Sequence, residues 1–128
     1  MLEINNPDVV AEVRSVFDRY ERALLANDVA TMGALFWRSP HAVRFGVGEN
    51  LYGIDQIDAF RRNRKTGPFQ RTLSNTTITT FGRDFAVANT EYQRPDHDRS
   101  GRESKTLVRM EAGWRIVAAH VSLIGETV

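Results

Sequence analysis

The sequence predicts an α+β fold in which helices come first and an antiparallel meander follows, curved over them. Three observations predict it. Apolar residues in the first 64 positions recur mostly at helical spacing. From position 72 onward the period shortens to two, in β-branched runs separated by turn residues. The connections between those runs are too short for crossovers, so the strands must alternate in direction.

The elements follow in order. Asn6-Pro7-Asp8 reads as a helix start, with an N-cap, proline at the first helical position and an acid in the first turn. Val9, Val13, Val16, Phe17, Tyr20 and Leu24 then share one face of an amphipathic helix ending near Asn27. Asp28 caps a shorter helix through VATMGALFW, which must stop before Ser39-Pro40 because proline disfavours helical backbone in the residue before it. HAVRFGV (41–47) is a first strand, and Ile54 to Arg64 a third helix with Ile54, Ile57, Ala59 and Phe60 for its buried stripe. TLSNTTITTF (72–81), FAVANTEYQ (85–93), SKTLVRM (104–110) and WRIVAAHVSLI (114–124) are the meander strands. Phe81 to Asp84 and Glu111 to Gly113 suit hairpin turns, and Pro95 to Arg102 is a polar loop. With no internal repeat, linker or low-complexity stretch, residues 1–128 are expected to form one domain.

Composition excludes several function classes. Hydrophobic residues make up 41% and charged residues 26%, ordinary for a globular chain. No apolar run approaches the roughly 18 residues of a membrane span, and the N-terminus lacks the basic and apolar regions of a signal peptide, so a cytoplasmic location is expected. The absence of cysteine removes disulfides, thiolate metal sites and a cysteine nucleophile. A net charge of +1 does not favour a nucleic-acid partner. His41, His97 and His120 show no ligand spacing, and neither a metal nor an organic cofactor is implied. Fifteen of the seventeen basic residues are arginine. That bias fits a GC-rich genome, or arginines kept for gripping carboxylates through paired N–H donors.

The stretch RFGVGENLYG (44–53) packs three glycines around an arginine and a glutamate. No Gly-Lys-Ser/Thr follows, and no helix opens directly after the second glycine, so neither a P-loop nor a dinucleotide fingerprint fits. As a strand, it puts Ala42, Arg44, Gly46 and Gly48 on one face, leaving room around the guanidinium for another backbone or a small ligand. An ion pair between Arg44 and Glu49 is the competing reading. Tyr20 lies on the buried face of the first helix, where its hydroxyl needs a partner: either a carbonyl of the core, or a polar pocket shared with Arg44. Arg71 and Arg102 are candidates for further carboxylate clamps in that cavity. His120 alternates with Ile116, Ala118 and Ser122, as a core histidine or a pocket residue.

The segments FDRYE (17–21), LFW (35–37), VRFGVGENLYG (43–53), TTFGRDFA (79–86), GRES (101–104) and GWRIVAAHVS (113–122), in this order and spacing, make the chain resemble the nuclear transport factor 2-like superfamily, also called SnoaL-like or cystatin-like. Within it, the chain is most similar to the AtzH-like branch, including the HpxZ-type proteins of oxalurate catabolism. The resemblance implies a strongly bent antiparallel sheet wrapped around the N-terminal helices to form a cone with an internal pocket, usually as a homodimer. It also implies amide-type hydrolysis of a carboxylated urea such as 1,3-dicarboxyurea, giving allophanate, in cyanuric acid or oxalurate-type nitrogen catabolism. The family's catalytic tyrosine and arginine fall on Tyr20 and Arg44. The residues expected to bind substrate beside them are Arg71, Arg102, Glu49, His120 and Trp37. Two other readings stand beside this one: a non-catalytic accessory binding a small acid or an amidase, and a ketosteroid-isomerase-like enzyme, which needs an acidic base in an apolar cavity.

Overall fold

The computed structural model describes residues 1–64 and 67–125. Asn6 opens α1 (Pro7–Ala26), its side-chain oxygen accepting the Asp8 N–H at 3.0 Å, and Asn27 closes it in the left-handed conformation. Asp28 then caps α2 (Val29–Leu35), accepting from the Thr31 N–H at 3.1 Å and the Thr31 hydroxyl at 2.6 Å. This helix stops two residues short of the expected Trp37, because Phe36 and Trp37 join the sheet. Phe36 bridges Ile116, and the Trp37 N–H donates to the Ile116 carbonyl at 2.9 Å.

The expected strand 41–47 is shorter. β1 (Val43–Phe45) turns through Gly46 to Glu49 into β2 (Asn50–Tyr52), with the Gly46 N–H donating to the Glu49 carbonyl at 2.8 Å. Gly46 and Gly48 therefore sit in the turn and not on the strand face of Arg44. β2 escapes sequence patterning because three residues carry no period. Then follow α3 (Ile54–Asn63), β3 (Thr72–Phe81), β4 (Phe85–Gln93), β5 (Gly101–Met110) and β6 (Gly113–Leu123). The sheet order is β2-β1-β6-β5-β4-β3, antiparallel except that β1 runs parallel to β6, with Val43 opposite Ala118. β5 begins three residues earlier than expected, absorbing Gly101 and Arg102 from the polar loop.

The sheet curls without closing, and the helices lie inside the curl. Val9, Val13 and Phe17 of α1 meet Met32, Leu35, Ile57, Leu107, Trp114 and Ile116 in the core. Ala86 and Ala88 on the concave face of β4 leave depth for those larger side chains. Two bulges shape the curl. In β3, Asn75 at φ 53° is the extra residue between the Ser74 and Thr77 pairings. In β6, Val117 is left unpaired between Ile116, opposite Leu107, and Ala118, opposite Thr106. Each bulge swaps the face that later side chains present. Among the described residues no helix is long and apolar enough to cross a membrane.

The concave face leaves no space at Gly101, where a Cβ would lie 1.9 Å from the Tyr92 ring. Gly101→Ala is expected to lower stability by about 1–3 kcal/mol through overpacking, read as a reduced thermal midpoint. Gly48→Ala, with no atom within 4 Å of its new methyl, is expected to leave the midpoint unchanged.

Candidate functional site

Between the helices and the concave face lies a cavity of about 260 Å³, open at one end. Its floor is built on β5, whose alternation aims Gly101, Glu103, Lys105 and Leu107 inward. Glu103 sits between two cations. One of its oxygens accepts from the Lys105 ammonium; the other lies 2.9 Å from Arg71. Burial alone would raise the Glu103 pKa, but Lys105 and Arg71 overcome it and lower it to about 2. Arg71, from the start of the meander, also grips Glu21 of α1 bidentately, at 2.6 and 2.8 Å, and lies 4.7 Å from the Tyr92 ring centroid. Burial works against the Arg71 charge, and Glu21 and Glu103 reverse that effect and raise its pKa above the ordinary value. The Lys105 ammonium lies 5.2 and 5.0 Å from the ring centroids of Phe17 and Tyr20.

Tyr20 comes from the buried face of α1 and is 3% exposed. Its hydroxyl oxygen accepts a hydrogen bond at 2.9 Å from Nη2 of Arg61, from the last turn of α3. A cation donating to that oxygen leaves the hydroxyl proton free for another acceptor. Arg61 is 5% exposed, and its Nε and Nη1 have no hydrogen-bond partner among the described residues. Arg44 enters from β1. Its Nη1 donates to Glu49 at 2.8 Å, and its guanidinium lies 5.4 Å from the Phe60 ring centroid. Both sequence readings of Arg44 therefore meet in one geometry: it is paired with Glu49, yet Nε and Nη2, one bidentate edge of the fork, make no hydrogen bond to the described residues. The small residue at 46 serves that pair, since a Cβ there would lie 1.7 Å from the Glu49 carboxylate.

At the mouth, Arg64 and Arg94 flank Phe69, at 5.9 and 4.3 Å from its ring centroid. Arg94 pairs with Asp96 at 3.0 Å. Arg64 has its pKa lowered, first by burial and then by the like charges of Arg61, Arg44 and Arg94. Six cations thus line the cavity, and four carboxylates (Glu21, Glu49, Asp96 and Glu103) engage four of them, Arg44, Arg71, Arg94 and Lys105. Arg61 and Arg64 have no acid partner among the described residues. An interior with surplus positive charge suits a small anion.

Of the residues expected from sequence, Tyr20, Arg44, Glu49 and Arg71 line this cavity. Arg102, His120 and Trp37 do not. Arg102 lies one position out of phase with Gly101 and Glu103, so it faces solvent on the convex side. Alternation alone puts His120 on the face of Ile116, but the bulge at Val117 shifts the inward set to Ala119, Val121 and Leu123. The exposed His120 packs instead at 5.7 Å, edge-to-face, against Phe45. Trp37 lies beside His41 outside the cavity, with its backbone tied to Ile116. Sequence reasoning missed Arg61, Arg64, Glu103 and Lys105. Arg61 was readable, since it falls four residues after Ile57 and seven after Ile54, on the buried stripe. Glu103 and Lys105 alternate like an outward polar face, and nothing local marks them as inward. Among the described residues no cluster of three or more His, Asp or Glu is arranged to hold a metal ion.

A family model described as AtzH-like matches residues 2–127. Among curated proteins no significant match is found. Solved structures provide close ones. A protein of unknown function from Pectobacterium atrosepticum is 52% identical, with 95% of each chain covered and a TM-score of 0.93. A cystatin-like fold protein from Burkholderia xenovorans is 45% identical over 99% of this chain and 100% of its own, with a TM-score of 0.94. A nuclear transport factor 2-like protein of unknown function from Pseudomonas putida shares the fold at 19% identity, covering 94% of this chain and 89% of its own, with a TM-score of 0.78.

The charge network makes stability pH-dependent with a definite sign. Because the Glu103 pKa is lowered on folding, its contribution is complete above the unfolded value of 4.5 and is lost as pH falls toward about 2. Chemical denaturation across that window should show native stability falling with pH. Glu103→Gln should flatten the fall and cost about 3–5 kcal/mol at neutral pH, because it leaves Lys105 and Arg71 short of a buried counter-charge.

Proposed function

The chain belongs to the AtzH-like family, and from that premise we propose that it is a small cytoplasmic, cofactor-independent hydrolase that removes a carboxyl group from a carboxylated urea. Its substrate would be 1,3-dicarboxyurea or a close relative, its product allophanate, and its setting cyanuric acid or oxalurate-type nitrogen catabolism. The working assembly would be a homodimer, as the resemblance implies. One observation carries this reading: a buried tyrosine hydroxyl, held by a guanidinium, faces the same small cavity as an arginine whose Nε and Nη2 edge is unbonded among the described residues.

In this reading the Nε and Nη2 edge of Arg44 holds the substrate at a carboxylate and stabilises charge growing on the urea group. The bond between nitrogen and the departing carboxyl carbon breaks, its electron pair stays on nitrogen, and carbon dioxide leaves. The Tyr20 hydroxyl gives its proton to that nitrogen, and water restores it afterwards. The Arg61 N–H and the Lys105 charge stabilise the transient phenolate. The dianion and one water thus become the allophanate monoanion, carbon dioxide and hydroxide, the last two combining as bicarbonate. An N-carboxylated urea is intrinsically labile, so positioning and charge stabilisation supply the catalysis without a covalent nucleophile. The ketosteroid-isomerase reading gains no support here. The cavity acids Glu49 and Glu103 are both engaged by cations, and a carboxyl lowered to about 2 is a weak base.

The test is carbon dioxide and allophanate release from freshly generated 1,3-dicarboxyurea, scored above the protein-free blank because the compound decays unaided. Tyr20→Phe and Arg44→Ala, both folded, are each expected to lower kcat/KM by about a hundredfold or more. A native rate equal to the blank would overturn the enzyme and leave a small-acid-binding accessory that works beside an amidase.

A further inference from the structure

Arg61 is a buried cation without a counter-ion among the described residues. Among the described residues its one hydrogen-bond partner is a neutral oxygen, on Tyr20, two of its three nitrogens lie unbonded, and 5% of the residue is exposed. Folding an arginine into such a place costs several kcal/mol unless something neutralises it. The other deeply buried cations on the sheet side have protein acids: Arg71 has Glu21 and Glu103, and Lys105 has Glu103. Arg64, three residues on at the extended C-cap of α3, also has no acid among the described residues. The two therefore place a surplus of two positive charges at the C-terminal end of α3 against the cavity, while charge on the floor is balanced. Arg44, by contrast, arrives already half-neutralised by Glu49.

We infer that Arg61, supported by Arg64, is the specificity-determining group that takes the second carboxylate of a dianionic ligand, so that the site selects compact dianions over monoanions of the same shape. The inference rests on the functional reading above for its substrate, but its binding claim stands on the charge pattern alone. One carboxylate engages Arg44. The other settles against Arg61 and Arg64 and replaces the missing counter-ion, while Nη2 of Arg61 keeps the Tyr20 hydroxyl in place. A monoanion leaves one of the two ends unmatched.

Glutarate and glutaramate give a clean probe pair. Glutarate has three atoms between its carboxyl carbons, as dicarboxyurea does, and cannot be hydrolysed; glutaramate keeps its shape with one charge fewer. Titration calorimetry on the native protein is expected to show glutarate binding about tenfold tighter or more. Arg61→Met should fold, since it removes an unpaired buried charge, and should bring the two ligands to within about twofold of each other. Should Arg61→Met not fold, Arg61→Lys carries the test: its single ammonium cannot serve Tyr20 and a carboxylate together, so the preference should fall about threefold or more. A preference absent from the native protein, or unchanged in the folded variant, would overturn the inference. Turnover of 1,3-dicarboxyurea, measured in parallel, separates the two ideas. Dianion preference lost in Arg61→Met without native turnover keeps this inference and removes the hydrolase. Native turnover with preference intact in Arg61→Met does the reverse.

Discussion

Charge taken out of water has to be matched, and this requirement organises the interior of the cone. Glu103 is held between Lys105 and Arg71, and Arg71 in turn is clamped by Glu21, tying β5 and the start of the meander to α1. That network fixes the floor on which Tyr20 stands, through the Lys105 ammonium against its ring. On the opposite wall the matching stops. Arg61 and Arg64 bring charge that no protein acid answers among the described residues, and the cavity lies between the balanced wall and the unbalanced one.

Much of the fold was legible because its signals are local. The Asn6 and Asp28 caps, the stripe from Val9 to Leu24 and the β-branched runs each state their own geometry. Tyr20 and Arg44 were legible as inward polar residues for the same reason. What sequence could not supply was pairing. The hairpin arm Asn50–Tyr52 is too short to show a period, and β1 joins β6 in parallel through contacts more than 70 residues apart in the chain. The bulge at Val117 carries no composition signal, yet it inverts the phase of the last strand and moves His120 to the convex side. Glu103 and Lys105 were missed for the opposite reason: their alternation is regular, and only the partner acids and cations reveal which face is inside.

The AtzH-like chain shares its scaffold with proteins at less than 20% identity, so the fold by itself carries little chemistry. The chemistry has to be read from the size and sign of this interior. A cavity of about 260 Å³ falls below the range for drug-sized ligands and suits a compact metabolite. Its acids are committed to holding cations, and its free donors are guanidinium N–H groups. Guanidinium N–H groups suit carboxylates, and under the proposed function they would also stabilise charge that appears as a bond breaks.

The most direct measurement is a crystal structure of the protein soaked with glutarate. The account predicts one ligand inside the cone, with one carboxylate on the Nε and Nη2 edge of Arg44 and the other at hydrogen-bond distance from Arg61, beside the Tyr20 hydroxyl. A ligand held only at the mouth by Arg94, or an interior still empty at saturating glutarate, would contradict it.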